Sequence, residues 1–459
     1  MLVMKFGGAS IRDAEGLRQV AAIVAREKSP RVVVLSAVYG QTNEIREFSA
    51  RLANGRSDVD GFVRAVRERH ERLAQGAIDD REALARALRE VDARMLTLEI
   101  LLYGAAYSGE LTDRTFDLVQ SYGERLANPL LEGALASLGV KAKGFESDRI
   151  GIATDGVHGN ATADLPATAE NLKRTLVPEI QKGTVPVVTG FFGSGPDGRC
   201  TTFGRNGSDY SAAVIANALD AGVLEVWKDV DGFMTADPAL VPDARPIPTL
   251  SYDEAGEIAY FGSKILHPRT IEPVRPKNIT VSLRNSRAPD NTATRITAQG
   301  SGRWSEMKSV SHSSELALIK VYGAGFAYTP GVVLGISRQL FDAGIGIYSV
   351  VSSQLSLSIL LHSRDCEKGA ALLEKAKGAV VERVELDRDV ALVNVVGDGI
   401  GGIKGLPGSV FTTVANAGVS IKQISLGGSL NAINFLVSRN ELERTVRGIH
   451  DRYIVKAAG

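Results

Sequence analysis

Apolar positions in the first half of the chain gather into short unbroken runs: LVMKF at 2–6, RVVVLSAV at 31–38, VPVVTGFF at 185–192 and VLEVWKDV at 223–230. Runs of this length without polar alternation are the mark of strands buried on both faces, as in a parallel sheet. Between the first two, RDAEGLRQVAAIVAREK spaces its apolar residues for one face of a helix. From about 44 to 138 the chain is rich in Arg, Glu, Ala and Leu, with little Gly or Pro inside its segments, and predicts helices outside the sheet.

Periodicity is lost over SRAPDNTATRITAQGSGRWSEMKSVS (286–311), which places a domain boundary there. Beyond it LALIKVYG (316–323) is answered by VALVNVVG (390–397), and AGIGI (343–347) by AGVSI (417–421), both at an offset of 74 residues. Pro330 and Pro407 do not keep that offset, so the repeat is imperfect. The expected organisation is an open, mainly parallel α/β sheet sandwiched by helices over 1–288, a linker over 289–311, and two α+β lobes over 312–385 and 386–459.

Composition narrows the function. Lys+Arg and Asp+Glu balance at 53 each, which argues against a broad nucleic-acid surface or a polybasic membrane patch. A 44% hydrophobic content is enough for real cores. The two cysteines, Cys200 and Cys366, suit free thiols of a reducing compartment. The N-terminus lacks the pattern of a secretory leader and there is no run of 18 apolar residues, so a cytoplasmic protein is expected.

Lys5, followed by Gly7 and Gly8 at a strand-to-helix turn, puts a cation, backbone N–H groups and a helix start around one point, an arrangement suited to phosphate. Neither GxxxxGK[ST] nor GxGxxG is present, and a solvated strand end would explain the lysine equally well. A second glycine-rich cluster, GFFGSGPDGRCTTFGRNGSDYSAA (190–213), reads as a hairpin flap and then a loop entering a helix. In it Arg205 can grip a carboxylate, and Asp209 can hold an ammonium or position Lys5. Ser208 or Asp209 acting only as an N-cap is the plainer reading. Asp229 stands at the carboxyl end of a strand, where open α/β sheets bind ligands. Lys264, in YFGSKILHPRT, is either a second phosphate-facing lysine or a solvated helix residue.

Taken in order, VMKFGGAS, LSAVYGQTNE, SYGERLANPLL, GFFG…TTFGRNGSDYSAA, VWKDVDGFMTADP and YFGSKILHPRT resemble the aspartate kinases of the amino acid kinase superfamily. The resemblance spans nearly the whole chain, since those enzymes also carry two C-terminal ACT lobes of βαββαβ form. It implies ATP and Mg²⁺ as co-substrate, L-aspartate as acceptor, and 4-phospho-L-aspartate as product, the first step toward lysine, threonine and methionine. It implies that Lys5 stabilises the phosphoryl group in flight, with Gly7 and Gly8 lining the phosphates and Asp209 and Lys264 completing the catalytic set. Ser36, Thr42, Glu124, Arg205, Ser208 and Asp209 become the aspartate site, and Lys228, Asp229, Met234 and Lys264 part of the nucleotide site. It also implies a homodimer or higher homo-oligomer, an amino-acid effector at the ACT lobes, and a monofunctional chain whose final segment folds back to complete the first lobe.

The departures from the family pattern are specific. GGTS reads GGAS, with Ala9 in place of a hydroxyl, and TDVxGxYTxDPR has Lys228, Met234 and Ala239 at its Thr, Tyr and Arg positions. Leu430 and Ala432 stand in the second lobe where Glu and Asn are usual in lysine- or threonine-inhibited members. Three functions stay open at this point: an aspartate kinase, a kinase of the same superfamily with another small acidic acceptor, and an ACT-containing regulator with weakened catalysis. A β-carboxylate, which ordinarily titrates at about pH 3.9, is already ionised at neutral pH, so the first two need no general base. His267, beside Pro268, is expected to be structural.

Overall fold

The computed structural model describes residues 1–52, 58–261, 265–291, 293–301, 307–323, 326, 330–375, 381–425 and 428–455. They fall into two units: Met1–Phe233, Pro248–Tyr252 and Lys264–Ser301 form the first, and Met234–Ile247, Asp253–Ser263 and Gly302–Gly459 the second.

The first unit runs β1 (Leu2–Phe6), α1 (Ala14–Arg26), β2 (Arg31–Leu35), then the helices α2 (Gln41–Leu52), α3 (Val59–Ala77), α4 (Arg81–Ser108) and α5 (Asp113–Ser137). After β3 (Ala142–Phe145) come α6 (Ser147–Ile150), α7 (Leu165–Thr175), α8 (Val177–Gln181) and β4 (Val185–Thr189). A hairpin, β5 (Phe192–Ser194) and β6 (Cys200–Thr202), leads to α9 (Gly207–Ala218) and β7 (Val223–Lys228). The unit closes with β8 (Thr249–Ser251), the start of α10 (Tyr252–Phe261), α11 (Ile271–Val274), β9 (Thr280–Asn285) and β10 (Thr294–Thr297). Among the described residues the main sheet has the order β3-β4-β2-β1-β7-β9-β10-β8. It is parallel from β3 to β9, and β10 runs antiparallel to β9.

Local chemistry sets the helix starts. Asp13, Asp58, Asp80 and Asp164 each accept a backbone N–H from three residues on, capping α1, α3, α4 and α7. Strand alternation then divides β1. Leu2, Met4 and Phe6 join the core formed with α1 to α5, which sends Val3 and Lys5 to the opposite face. Helix α9, whose residues are all buried and mostly small, packs against β1, β2 and β7.

The second unit contains β11 (Met307–Ser313), β12 (Leu316–Tyr322), α12 (Val332–Asp342), β13 (Ile347–Ser352), β14 (Ser356–His362), α13 (Cys366–Lys375) and β15 (Arg383–Asp387). It continues with β16 (Ala391–Gly397), α14 (Leu406–Asn416), β17 (Gln423–Ser425), β18 (Ala432–Val437) and α15 (Leu442–His450). Its described strands make two four-stranded sheets, β13-β14-β12-β15 and β11-β16-β18-β17. The repeated sequences are their inner strands β12 and β16. Buried beside them, Lys308 Nζ lies 2.8 Å from both carboxylate oxygens of Glu254 on α10.

Two expectations about boundaries need correction. The stretch 289–311 is not a linker throughout, because β10 belongs to the main sheet and β11 pairs antiparallel with β16. The second lobe therefore takes its fourth strand from ahead of the first lobe. The C-terminal segment does not complete the first lobe: Val446, Ile449 and Ile454 share one core with Val310, Val393 and Phe435 of the second. The apolar face of α15 has its partner there, and burial against β11 and β16 leaves it no reason to return.

Candidate active site

Three loops open at the carboxyl edge of the sheet beside β1. Gly7 N donates to Trp227 O at 3.2 Å and Ser36 N to Phe6 O at 3.1 Å, so β1, β2 and β7 end level with one another. A Cβ on Gly8 would sit 2.7 Å from Ala37 O, so only glycine lets the first loop lie against the second. A Cβ on Gly7 would meet Lys5 Nζ at 3.6 Å and the Lys228 side chain at 3.9 Å. Gly7 thus lies at ordinary contact distance from both lysine side chains.

Asp209 holds both lysines. Lys5 Nζ lies 2.5 Å from its Oδ1, and Lys228 Nζ donates to its Oδ2 at 2.9 Å. Burial would raise the Asp209 carboxyl, but Lys228 and Lys5 outweigh it and hold the group down at about 2. Burial, aided by Lys228 and opposed by Asp209, brings the Lys5 ammonium down to about 8. Asp209 is therefore an anion, and Lys5 is largely protonated at neutral pH while close to titrating.

The same helix start reaches α5. Ser208 Oγ donates to Glu124 Oε1 at 3.3 Å, and the buried Glu124 carboxyl also draws on the backbone of Ala37 and of Glu124 itself. Burial pushes the Glu124 carboxyl up to about 8. Thr42, in the first turn of α2, lies alongside: its Oγ1 is 3.6 Å from where a Cβ on Gly123 would be. The plainer reading of Ser208 and Asp209 thus gives way. The residue flanking α9 is Asn206, in the left-handed region at φ 54°, and it makes no side-chain cap bond.

Lys5, Gly7, Gly8, Ser36, Thr42, Glu124, Ser208, Asp209 and Lys228 thus form one connected cluster. Arg205 is exposed on the turn before α9 and makes no ion pair with a described residue, and Asp229 is exposed just beyond Lys228. Met234 belongs to the second unit, where its carbonyl accepts from Ser309 Oγ at 3.0 Å. Lys264 lies outside the described residues. His267 Nδ1 accepts from Arg269 N at 3.2 Å, a local cap.

One buried carboxyl group escaped the sequence reading. Asp117, on α5 two turns before Glu124, is fully buried and accepts from Thr202 Oγ1 at 2.6 Å, Thr202 N at 3.2 Å and Gly159 N at 3.0 Å, with His158 Nδ1 at 2.8 Å. It ties the β5–β6 hairpin to the helix that carries Glu124. Nothing local to FDL signals this, since every partner is distant in sequence. Arg125, next to Glu124, is similarly locked by Glu146 and Asp148.

A sheet of this order, with two lysines converging on one aspartate at its carboxyl edge and paired lobes behind it in the chain, defines a phosphotransferase of the amino acid kinase type. The amino acid kinase family model matches residues 1–285, and an ACT domain model matches 393–453. Aspartokinase 1, chloroplastic, of Arabidopsis thaliana is 33% identical over 98% of this chain and 80% of its own length. A bifunctional aspartokinase/homoserine dehydrogenase of Haemophilus influenzae is 30% identical over 98% of this chain, which spans only 56% of that longer protein. The crystal structure of E. coli aspartokinase III in complex with aspartate and ADP superposes with a TM-score of 0.84 at 27% identity, covering 98% of this chain and 99% of that one. The chain belongs to the amino acid kinase family and, within it, to the aspartokinases. No helix among the described residues is long and apolar enough to cross a membrane.

Proposed function

We propose that this protein transfers the γ-phosphoryl group of Mg·ATP to the β-carboxylate of L-aspartate, giving ADP and 4-phospho-L-aspartate, the first step toward lysine, threonine and methionine. The observation that carries this reading is the pair of lysines on Asp209 beside a buried Glu124. The carboxylate oxygen attacks phosphorus in line as the bond to the ADP oxygen breaks, and no proton has to move. What the reaction needs is neutralised charge in a site shielded from water. Lys5 faces the transferring group, Gly7, Gly8, Lys228 and Lys264 serve the phosphates, Asp229 belongs to the rest of the nucleotide site, and Met234 stands where the family's nucleotide-site tyrosine is usual. Mg²⁺ arrives with the nucleotide as part of the substrate.

Glu124 Oε2 supplies the anion for the substrate's ammonium, Ser36, Thr42 and Ser208 give hydroxyls, and Arg205 closes on a carboxylate. With both oxygens of Asp209 engaged by lysines, its role is to position them rather than to bind aspartate. The ACT lobes are the place for an amino-acid effector and for pairing with a second subunit. Between their sheets, Gln423, Ser425 and Asn434 line a small crevice, and the buried Asn434 Oδ1 has no hydrogen-bond partner among the described residues. The test is hydroxylamine trapping of an acyl phosphate from aspartate and Mg·ATP. Trapping with glutamate but not aspartate, or nucleotide binding without turnover, would overturn the reading.

A further inference from the structure

The turn that carries Arg205 is held from behind. Arg205 is exposed and makes no ion pair with a described residue, so the reach of its guanidinium is set by the backbone beneath it. That backbone leaves β6 at Thr202 and, at Gly204 (φ 77°), runs against another loop: a Cβ there would sit 3.0 Å from Gly159 O.

Both ends of this arrangement are bonded to Asp117. Its Oδ1 accepts the Thr202 hydroxyl, its Oδ2 accepts the N–H groups of Thr202 and Gly159, and His158 Nδ1 lies beside Oδ2. One carboxyl group thus holds the strand from which the Arg205 turn departs and the loop on which that turn rests. The far side of the loop is fixed as well, since Arg269 Nη2 donates to Ala161 O at 3.1 Å while its guanidinium lies 4.4 Å over the Tyr210 ring on α9.

A fully buried carboxyl group is costly unless donors meet it. Apolar packing would hold the hairpin down too, but hydrogen bonds from two loops to one group also fix direction. Asp117 comes from α5, two turns before Glu124, so the groups assigned to the substrate's ammonium and to its carboxylate are tied to one helix.

We propose that Asp117 is a positioning residue for the acceptor: through Thr202 and Gly159 it sets the reach of Arg205 toward the acceptor's carboxylate, and so it rests on the assignment of Arg205 to that group. Lys5, Lys228 and Asp209 bond to one another without Asp117. Its loss is therefore felt in acceptor binding and little in the transfer step.

Kinetics of the full-length protein in the hydroxamate assay test this. Asp117→Asn is nearly isosteric but turns an amide toward the donors. It should raise the KM for aspartate about tenfold and leave kcat and the KM for Mg·ATP within about twofold, because a small misplacement of a binding group suffices. Thr202→Val should raise the same KM about threefold, the loss of one hydrogen bond, and Thr202→Ser should restore it. If Asp117→Asn does not fold, the Thr202 pair decides, and no rise for Thr202→Val overturns the proposal. In an Arg205→Ala background Asp117→Asn should add less than about twofold, since residues that act through one another are not additive. Addition of the full factor, or a fall in kcat at unchanged KM, would overturn it.

Hydrogen exchange reads the positioning with no substrate present. Amides from Thr202 to Gly207 should exchange about tenfold faster in Asp117→Asn, with those of β1 unchanged. Unchanged exchange at 202–207 overturns the proposal. Fast exchange there in a protein whose wild type shows no aspartate turnover overturns the assigned reaction and leaves the positioning standing.

Discussion

Lys228 Nζ bonds to Asp209 Oδ2 at 2.9 Å, the oxygen that Lys5 leaves free on the same carboxylate. Lys228 stands where family members usually carry threonine, so a second cation has entered the centre of the site. Lys228→Thr should remove one of the charges that hold the Lys5 ammonium down. In the proposed reaction Lys5 acts as a cation, so activity should fall as pH rises through about 8. In the variant that alkaline limb should move to higher pH, with kcat/KM lowered on its plateau. An unmoved limb in a pH–rate profile would show that Lys228 does not act through Lys5.

Lys5→Ala should cut kcat by about 10²–10³, the usual cost of losing one preorganised donor to a transition state. The hydroxamate assay reads this directly. Nucleotide affinity should change much less.

Glu124→Gln should weaken aspartate binding and strengthen the fold together. The free protein holds this carboxyl protonated up to about pH 8, far above its ordinary range. Aspartate's ammonium requires the anion, so binding at neutral pH should release a proton, visible by calorimetry in buffers of different ionisation enthalpy. For stability the sign is opposite. Between pH 4.5 and about 8 the folded state keeps a proton that the unfolded state has lost, so rising pH destabilises the fold. The glutamine variant should gain at least about 2–4 °C in thermal midpoint at pH 8.5 and little at pH 4. Equal shifts at both pH values would refute this account.

Arg205→Ala should raise the KM for aspartate roughly tenfold or more without moving the thermal midpoint, since losing a charge-assisted bond is worth about 1.5–3 kcal/mol. Arg205 is exposed and makes no ion pair with a described residue, so its removal strands no described partner.

Lys308→Met should destabilise the second unit by about 3–5 kcal/mol, because it removes the buried cation that both oxygens of Glu254 face. Urea unfolding followed by fluorescence would measure it.

Legibility in the sequence followed the range of each signal. β1, β2, β4 and β7 announced themselves because strands buried on both faces can't hide their apolar runs. Lys5 was legible for the converse reason, as a charge at the end of such a run. Glu124 was not: it sits among buried helix residues, and only the resemblance of SYGERLANPLL to a family motif singled it out. Asp117 had no signal, since its partners come together only in the fold. β11 was read as linker because MKSVSHS alternates serine with mixed residues and has little hydrophobic contrast, although pairing with β16 buries most of it.

That strand carries a consequence for synthesis. Residues 307–313 leave the ribosome before the first lobe, yet their partner β16 follows only after it. Until then β11 presents an unpaired edge while the first lobe, complete by Asp387, can already close. A nascent chain that has cleared the ribosome only as far as Asp387 would carry that edge still open, and chaperones or a second nascent chain would compete for it.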